Sequence, residues 1–404
     1  MKLAVLTCGF LPIPATKGGA VENLVVNLLN ENEKNKEIEF VVFSIYDKDA
    51  VEQSKKYNQT SFKFVKVNPI VKFLDKITFF VAKNILKKKN SQSYRYIFQR
   101  LSYLNKVSKY LKKETYDKVL LENHPTQYLA LKWRKNYIKY TGRYYYHCHN
   151  EFPGTYGCKD IISQTQKFIC VSEYIKKTLE NYLGLESDKF VVLRNCIDTN
   201  RFSEELSDEE RLQIRKKYNI TEDEKVLLFT GRIVPEKGVK ELLQSLINLK
   251  NKNYKLLIVG GALNDFNVKT SYQQDVENIV KKLEKNVIFT GFVKYQEIAK
   301  FYKLADLAVI PSIWDDPAPL TIIESLVTGL PIITTNSGGI PEYATNGSAI
   351  IIKRDANLID NLTQAIDKLL ADDKLRIEMS NKGVEVSKDL TIENYYNNFV
   401  NDIK

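Results

Sequence analysis

The sequence is poor in cysteine and lacks the long apolar runs of membrane proteins. Only five of its 404 residues are cysteine. They are scattered and never form C-x-x-C, which disfavours a disulfide framework and favours free thiols in a reducing cytosol. No run approaches the ~20 apolar residues that a transmembrane helix needs. Residues 1–10 have no extended apolar region or cleavage site, so we interpret them as a first strand and not as a signal peptide.

Two further absences exclude classes of function. No G-x-G-x-x-G follows a predicted strand, which disfavours a dinucleotide-dependent oxidoreductase. The formal net charge is +11, but no nucleic-acid-binding signature accompanies it, so we predict no nucleic-acid partner. The chain has three histidines and no cluster with metal-ligand spacing. We therefore predict no metal and no resident cofactor.

What the sequence does contain is an alternation of short apolar runs with helical patterns. Such alternation is typical of parallel α/β architecture. A chain of 404 residues is too long for one ordinary core, so we expect two domains. The predicted strands are 2–8, 39–45, 62–67, 117–121, 143–148, 167–171 and 190–193 in the first domain, and 225–230, 254–259, 287–290, 307–311, 331–334 and 349–352 in the second.

The predicted boundary between the domains lies in a charged segment, 200–223. We assign residues 1–203 to the first domain and residues 204–387 to the second. The last stretch, 388–404, is expected to form a helix that packs back on the first domain. If the two sheets face each other, the carboxyl ends of their strands line a cleft, which is where ligands of open α/β sheets bind.

Two cations follow the strand predicted at 225–230. Arg232 follows it after Gly231, and Lys237 opens the next helix. The planar guanidinium of arginine and the point charge of lysine suit a diphosphate. A surface turn with solvated charges is the alternative. The position at a strand end, together with the stiffening effect of Pro235, favours a binding site.

Two acids, Asp316 and Glu324, stand at the ends of a proline-rich loop. Glu324 falls in a very apolar helix, where a charge costs stability unless it is paired or bound. Its carboxylate could accept hydrogen bonds from sugar or ribose hydroxyls, and a position facing water is the alternative. The backbone N–H groups of Leu320 and Thr321, after Ala318 in the same loop, would face a phosphate at the helix start.

Two glycine pairs mark further strand ends. Gly338-Gly339 follows the strand at 331–334, and we leave open whether it forms a plain turn or a close approach of the backbone to a ligand. Gly18-Gly19 leads into a helix predicted at 19–30. Glycines there let backbone N–H groups reach an anion, although this motif is weak by itself.

His147 and His149 end the strand at 143–148. They share a face of that strand, but no acidic third ligand is evident, so we discount a metal. A structural hydrogen bond is the alternative role for either one. We expect His149, at the strand end, to contact the sugar.

The segment 63–113 carries fourteen Lys and Arg but one acid, Asp75, with aromatic residues interleaved. One interpretation is a solvated basic face over an aromatic core. A second is attraction to an anionic membrane surface. Binding of nucleic acid is the least favoured interpretation, because no nucleic-acid-binding module accompanies the charge.

Together these residues resemble the retaining glycosyltransferases of family 4, which have the two-domain GT-B fold. The resemblance covers nearly the whole chain. Its strongest parts are Gly231-Arg232…Lys237-Gly238, Gly260-Gly261, Gly291-Phe292-Val293, Asp316…Glu324 and Gly338-Gly339-Ile340-Pro341-Glu342.

The resemblance implies a role for each candidate residue. Arg232 and Lys237 would hold the donor diphosphate, Glu324 the ribose hydroxyls, and Asp316 the donor sugar. Asp316 is one methylene shorter than the family's Glu. The remaining expected donor or acceptor contacts are Gly18, Gly19, His149, Gly261, Phe292, Val293, Ala318, Leu320 and Thr321, with the nucleobase near Phe292 and Val293.

The resemblance also implies the reaction: transfer of a sugar from a nucleoside-diphosphate sugar, UDP ahead of GDP, with retention and without a metal. The acceptor would be a glycan or lipid-linked glycan in cell-surface polysaccharide synthesis. We expect a cytoplasmic protein, peripheral on the inner face of the membrane and attracted to its anionic surface. The alternatives are a GT-B epimerase of nucleotide sugars and a catalytically silent nucleotide-sugar binder.

Overall fold

The computed structural model describes residues 1–86, 94–261 and 271–404. The chain divides into two compact units, Met1–Arg194 with Ile392–Lys404, and Asn195–Thr391. The sequence placed these boundaries at 203/204 and 387/388. The short helix Thr199–Ser203 belongs to the second unit because Phe202 packs edge-on against Tyr302, with ring centroids 5.8 Å apart.

The first unit contains a parallel sheet of seven described strands. Their order in the sheet is β3-β2-β1-β4-β5-β6-β7. All seven predicted strands are confirmed, each within two residues at either end. They are Lys2–Leu6 (β1), Glu39–Ile45 (β2), Thr60–Val65 (β3), Lys118–Glu122 (β4), Tyr144–Cys148 (β5), Phe168–Cys170 (β6) and Phe190–Val192 (β7).

Helices connect these strands, as parallel pairing requires. A helix formed by the C-terminal residues packs on the first of them, where the Tyr396 hydroxyl donates to Asn32 Oδ1 at 2.8 Å. The α-helices of this unit, numbered along the whole chain, are Ala20–Asn35 (α1), Lys48–Ser54 (α2), Pro69–Phe80 (α3), Ile97–Lys113 (α4), Tyr128–Lys132 (α5), Asn136–Lys139 (α6), Lys159–Ser163 (α7), Glu173–Leu183 (α8) and Ile392–Ile403 (α18).

The second unit contains a parallel sheet of six described strands in the order β10-β9-β8-β11-β12-β13. The six predicted strands are confirmed: Lys225–Thr230 (β8), Tyr254–Val259 (β9), Val287–Gly291 (β10), Leu307–Ile310 (β11), Ile332–Thr335 (β12) and Ala349–Ile352 (β13). Its helices are Thr199–Ser203 (α9), Asp208–Lys217 (α10), Val239–Ile247 (α11), Ser271–Leu283 (α12), Ile298–Leu304 (α13), Leu320–Val327 (α14), Ile340–Tyr343 (α15), Leu358–Ala371 (α16) and Asp373–Ser387 (α17).

The strand order of the second sheet decides where its functional loops meet. β8 lies between β9 and β11, and β12 lies beside β11. Because these strands are parallel, the loops that leave their carboxyl ends share one edge of the sheet. The strands themselves are buried, with Leu227, Leu257 and Val309 fully enclosed. A rigid core therefore supports that edge.

Hydropathy adds one finding about the helices. Within the ranges that the structure describes, none of them is both long and apolar enough to cross a bilayer.

Candidate active site

The loop after β8 carries the two predicted cations. Arg232 follows the strand after one residue, Gly231, and is exposed. Lys237 ends a short 3₁₀ turn, Pro235–Lys237, in which proline fixes the first position. Gly238 has a φ of 70°, and a Cβ there would lie 1.9 Å from the Pro311 carbonyl oxygen. Glycine is therefore needed for this loop to pack against the end of β11.

Two hydrogen bonds join this loop to the one that carries Asp316. The Ile313 N–H donates to the Glu236 carbonyl oxygen at 3.1 Å, and Ser312 Oγ donates to the same oxygen at 3.3 Å. Lys237 Nζ then lies 2.5 Å from Asp316 Oδ2. The two side chains are 24% and 8% exposed, so water only partly screens their attraction.

The Gly338-Gly339 turn after β12 holds the same loop from the other side. The Gly338 N–H donates to Asp315 Oδ1 at 3.1 Å, and the Gly339 N–H donates to the Asp316 carbonyl oxygen at 2.9 Å. A Cβ at Gly338 would lie 2.4 Å from that oxygen. Of the two interpretations that the sequence left open, the structure shows a close approach of the backbone, here to another loop.

Arg354 also holds this loop, and sequence analysis missed it. Its guanidinium forms an ion pair with Asp315, and its Nη1 donates to the Ile313 carbonyl oxygen at 3.1 Å. Two contacts to one fork-shaped group fix the loop more firmly than one would. Arg354 stands in the charged run Lys353-Arg354-Asp355, which has no feature that separates it from solvated surface.

Glu324 lies on α14 and is only 3% exposed. Its Oε2 accepts a hydrogen bond from the Tyr302 hydroxyl at 2.6 Å. Burial raises the pKa of Glu324 to about 7, although hydrogen bonds from Tyr302 and Tyr295 oppose the shift. The alternative of an acid facing water is wrong. The carboxyl group is buried and paired, as a charge on so apolar a helix requires.

Tyr302, on α13, connects Glu324 to the end of β8. Its hydroxyl lies 2.6 Å from Oγ1 of Thr230, the last residue of that strand. Sequence analysis missed this residue, because a tyrosine on an amphipathic helix ordinarily indicates a core position. The structure therefore links the predicted ribose-binding acid to the strand that precedes Arg232.

The start of α14 lies in the same group of loops. The helix begins at Leu320 after Pro319, and the first N–H groups of a helix, here those of Leu320 and Thr321, have no partner within it. Just before it, the Ala318 carbonyl oxygen accepts a hydrogen bond from Asn195 Nδ2 at 3.0 Å. The contact from Asn195 thus also holds the loop that precedes α14.

The predicted nucleobase region lies at the ends of β9 and β10. Gly260 has a φ of 141°, and a Cβ there would lie 2.0 Å from the Gly231 carbonyl oxygen. Glycine therefore lets the ends of β8 and β9 meet. Phe292 is 85% exposed and, with Val293, lines a cavity of about 360 Å³. A Cβ at Gly261 would meet nothing within 4 Å.

In the first unit, Gly18 and Gly19 precede α1 with φ values of 73° and 110°. A Cβ at Gly19 would lie 2.0 Å from Glu22 Oε2. Glu22 is buried, accepts a hydrogen bond from Cys8 Sγ at 3.3 Å, and has its pKa raised by that burial. The glycines therefore let the first turn of α1 pack close to the end of β1.

His149 belongs to a buried cluster with an acid that sequence analysis overlooked. Glu122 ends β4, and its Oε2 lies 3.1 Å from His149 Nε2 and 3.2 Å from His147 Nδ1. All three side chains are buried. The expectation that no acid stands beside this histidine pair is wrong, because parallel pairing of β4 with β5 places Glu122 opposite His147.

Burial and hydrogen bonding set the charges in this cluster. Burial lowers the pKa of His149 to about 4, and His147 adds to the shift, so the His149 imidazole is neutral near pH 7. Burial alone would raise the pKa of Glu122, but attraction to His147 and hydrogen bonds from both imidazoles outweigh it and lower that pKa. A neutral His149 that donates from Nε2 keeps Nδ1 as an acceptor.

The same three side chains have the donor types of a zinc site. Their candidate ligand atoms lie within 4.8 Å of one another. Each of these atoms already takes part in a hydrogen bond within the cluster. The absence of a metal therefore stays a prediction.

Two family descriptions match this chain. "Glycosyltransferase Family 4" matches residues 22–201, and "Glycosyl transferases group 1" matches residues 210–386. The chain belongs to the family 4 glycosyltransferases. The family inferred from the motifs is thereby confirmed.

Individual relatives agree with this assignment. The putative glycosyltransferase YtcC of Bacillus subtilis is 24% identical over 94% of this chain and 86% of its own length. The lipopolysaccharide 1,2-N-acetylglucosaminetransferase of Salmonella typhimurium is 27% identical over 56% of this chain and 57% of its own. HepE of Anabaena, solved in complex with UDP-glucose, is similar in structure with a TM-score of 0.74 at 16% identity, covering 100% of this chain and 99% of that one. The fold is GT-B.

Proposed function

We propose that this glycosyltransferase moves a sugar from a nucleoside-diphosphate sugar to a hydroxyl of a glycan or lipid-linked acceptor, with retention at the anomeric carbon. The observation that carries the proposal is the contact between Lys237 and Asp316 in the loop that leads into α14. This arrangement gathers a cation, a carboxylate and helix-start N–H groups. Such a set suits a diphosphate joined to a sugar.

The candidate residues contact different parts of the donor. Arg232 and Lys237 bind the diphosphate, with help from the N–H groups of Leu320 and Thr321. Glu324 accepts hydrogen bonds from the ribose, and the nucleobase lies near Phe292. UDP ranks ahead of GDP, a preference that the UDP-glucose complex of the structurally similar HepE supports.

The ion pair of Lys237 with Asp316 sets up an exchange of partners. When the diphosphate engages Lys237, the carboxylate of Asp316 becomes free to accept a hydrogen bond from the donor sugar. The short side chain of aspartate, which reaches Lys237 at 2.5 Å, fits this exchange. Binding of the donor is then coupled to release of the Asp316 carboxylate from Lys237.

In the proposed reaction, the bond between the anomeric carbon and the diphosphate oxygen breaks. The acceptor oxygen bonds to the same face of that carbon, and its proton passes to the leaving phosphate. Arg232 and Lys237 stabilise the developing negative charge, which allows the reaction to proceed without a metal. The neutral imidazole of His149 orients the sugar through a hydrogen bond.

A thermal-shift screen against UDP-glucose, UDP-N-acetylglucosamine and GDP-mannose tests donor binding, because a ligand of the folded form raises its melting temperature. We expect at least one to stabilise the wild type. Calorimetry should then show weaker binding to Glu324→Ala. Unchanged affinity in that variant would remove the ribose role of Glu324.

Product analysis with the stabilising donor separates the remaining functions. Transfer to a membrane glycan fraction supports the proposal. Epimerised donor formed without any acceptor indicates an epimerase. Binding with neither product indicates a silent nucleotide-sugar binder.

We further propose that the protein works at the cytoplasmic face of an anionic membrane in cell-surface polysaccharide synthesis. One face of α3 turns apolar side chains to water: Ile70, Phe73, Leu74, Ile77 and Phe80. Asp75, the single acid of the basic segment, is buried and accepts hydrogen bonds from the first turn of α4. An exposed apolar face within a basic surface suits an anionic bilayer.

Two other observations support this setting. The five cysteines are buried and none of them forms a disulfide, as expected in a reducing compartment. The Salmonella relative is named for lipopolysaccharide.

Vesicle flotation tests the membrane proposal. Binding should need an anionic lipid and should fade as salt rises. Equal recovery with neutral vesicles, or no recovery with either, would contradict it.

A further inference from the structure

A basic cavity lies in the first unit, and its described lining includes no residue assigned to the donor. Its volume is about 490 Å³. The side chains that line it include four lysines and two aromatic rings: Lys66, Lys106, Lys109, Lys113, Phe64 and Tyr110.

The fold builds this cavity from an edge strand and one helix face. Lys66 directly follows β3, which lies at the edge of the sheet. Lys106, Lys109 and Lys113 are spaced at i, i+3 and i+7 along α4, so they share one face of it. Lys106 Nζ donates to the Lys66 carbonyl oxygen at 2.6 Å, which holds the helix against the strand end.

Among the residues that the structure describes, no acid lines the cavity to neutralise its positive charge. The nearby Glu114 is already engaged by Lys63 at 3.3 Å and by the Tyr116 hydroxyl at 2.9 Å. Within the described ranges, Lys109 and Lys113 form no ion pair. Like charges gathered in one pocket repel each other, and a bound anion would relieve that repulsion.

We propose that this lysine pocket, defined by Lys66, Lys106, Lys109 and Lys113, binds the phosphate group of an anionic lipid. Lysine is a common phosphate ligand, and the rings of Phe64 and Tyr110 offer an apolar wall to the carbon skeleton beside a phosphate. The proposal rests on the membrane part of the proposed function and not on the transfer chemistry.

The position of α3 favours a lipid over a free phosphate. Ile70, the first exposed apolar residue of that helix, is four residues from Lys66, which places their Cα atoms within about 14 Å. A phosphate site and an apolar face so close together match a molecule that has both a phosphate and an acyl chain. An inorganic anion would occupy the phosphate site but would not contact the apolar face.

The chain offers a matched pair of variants for the test, Lys113→Gln and Lys112→Gln. Both lysines are exposed neighbours in the last turn of α4, and both changes remove one charge. Only Lys113 lines the pocket. The probe is dihexanoyl phosphatidic acid below its micelle concentration, titrated by calorimetry, so that no membrane surface contributes.

The wild type and Lys112→Gln should bind this lipid alike, and Lys113→Gln should bind it roughly tenfold more weakly, since it loses a charge-assisted contact. Lys109→Gln should behave like Lys113→Gln. No binding to the wild type, or an equal loss in Lys112→Gln and Lys113→Gln, would overturn the proposal. Inorganic phosphate that binds as tightly as the lipid would overturn the lipid assignment.

A parallel thermal-shift measurement with the stabilising nucleotide sugar separates this proposal from the transfer reaction. The shift should be the same in Lys113→Gln and in the wild type. If the wild type binds the short-chain lipid but no nucleotide sugar, the donor assignment fails and the lysine pocket stands. If it binds the nucleotide sugar but not the lipid, the lysine pocket fails and the donor assignment stands.

Discussion

Each unit contains a buried glutamate at the carboxyl end of its sheet, and the two differ in their partners. Glu122 in the first unit is 1% exposed and contacts two imidazoles. Glu324 in the second is 3% exposed and accepts a hydrogen bond from the phenol of Tyr302. Burial favours the protonated form of both. The effect of burial prevails at Glu324, whose pKa rises to about 7. At Glu122 the contacts with the histidines outweigh the effect of burial, and the pKa falls.

The comparison shows that the partner, and not the depth of burial, decides the charge of a buried acid. The attraction of an imidazole to a carboxylate exceeds what a neutral phenol supplies. Glu122 is therefore ionised at all ordinary pH values and holds the histidines in place. Glu324 titrates near neutral pH, where a change in its surroundings can alter its charge.

The largest expected effect comes from removing the acid of the first cluster. Glu122→Ala leaves two buried imidazoles without an acceptor, and the Nε2 of His147 is already without a hydrogen bond to any described residue. Each buried donor left without an acceptor costs about 1–3 kcal/mol. A urea titration should show that loss in the free energy of unfolding. Glu186→Ala, at an exposed position of the same unit, should stay within about 0.5 kcal/mol of the wild type.

The pH dependence of Glu324→Gln probes the second acid. The carboxyl group ionises at 4.5 when unfolded and at about 7 when folded, so it contributes stability below pH 4.5 that is lost as the pH rises through 7. Glutamine does not titrate. As the pH rises from 4.5 to 8, the free energy of unfolding of the variant should therefore increase relative to that of the wild type, by on the order of 3 kcal/mol. A constant difference in melting temperature across this range would show that Glu324 is not shifted.

Lys237→Ala separates catalysis from stability. Loss of a cation that stabilises the leaving group should lower kcat by roughly 10²-fold, while a partly exposed ion pair contributes little to folding. Steady-state kinetics and a melting curve on the same sample measure both. Lys240→Ala removes a lysine that pairs with Asp275 outside the loop cluster and should retain activity. Near-normal turnover in Lys237→Ala would contradict the role of this lysine.

The smallest effect is expected from Tyr302→Phe. The variant loses the hydroxyl that hydrogen-bonds Glu324 and Thr230, at a cost of about 1 kcal/mol. Because that hydroxyl stabilises the carboxylate, its loss should raise the pKa of Glu324 further. The pH midpoint of UDP binding should then move upward. Tyr254→Phe removes a buried hydroxyl from the same unit that is bonded to a carbonyl oxygen and should leave the midpoint unchanged.

Much of the fold was predictable because its signals are local. Each strand is a short apolar run, and the glycines, prolines and caps that end the elements stand next to them in sequence. For this reason all thirteen predicted strands are present. The candidate donor residues were also named from their positions after those strands.

The contacts between those residues were not predictable from the same signals. Lys237 and Asp316, 79 residues apart, were assigned to separate parts of the donor, yet they form one ion pair. Tyr302 and Arg354 were missed because a helical tyrosine and a charged run look like ordinary core and surface. Glu122 was missed because only strand pairing places it opposite His147.

The amino-acid sequence by itself determined the alternation of strands and helices, the family, and the residue types available for a diphosphate and a sugar. These follow from local hydrophobic periodicity and from motifs a few residues long. Only the tertiary structure decided which acids are charged and which cations are paired. The reason is physical: the energy of a charge depends on its burial and on its neighbours in space, and strand order and register bring those neighbours from distant parts of the chain.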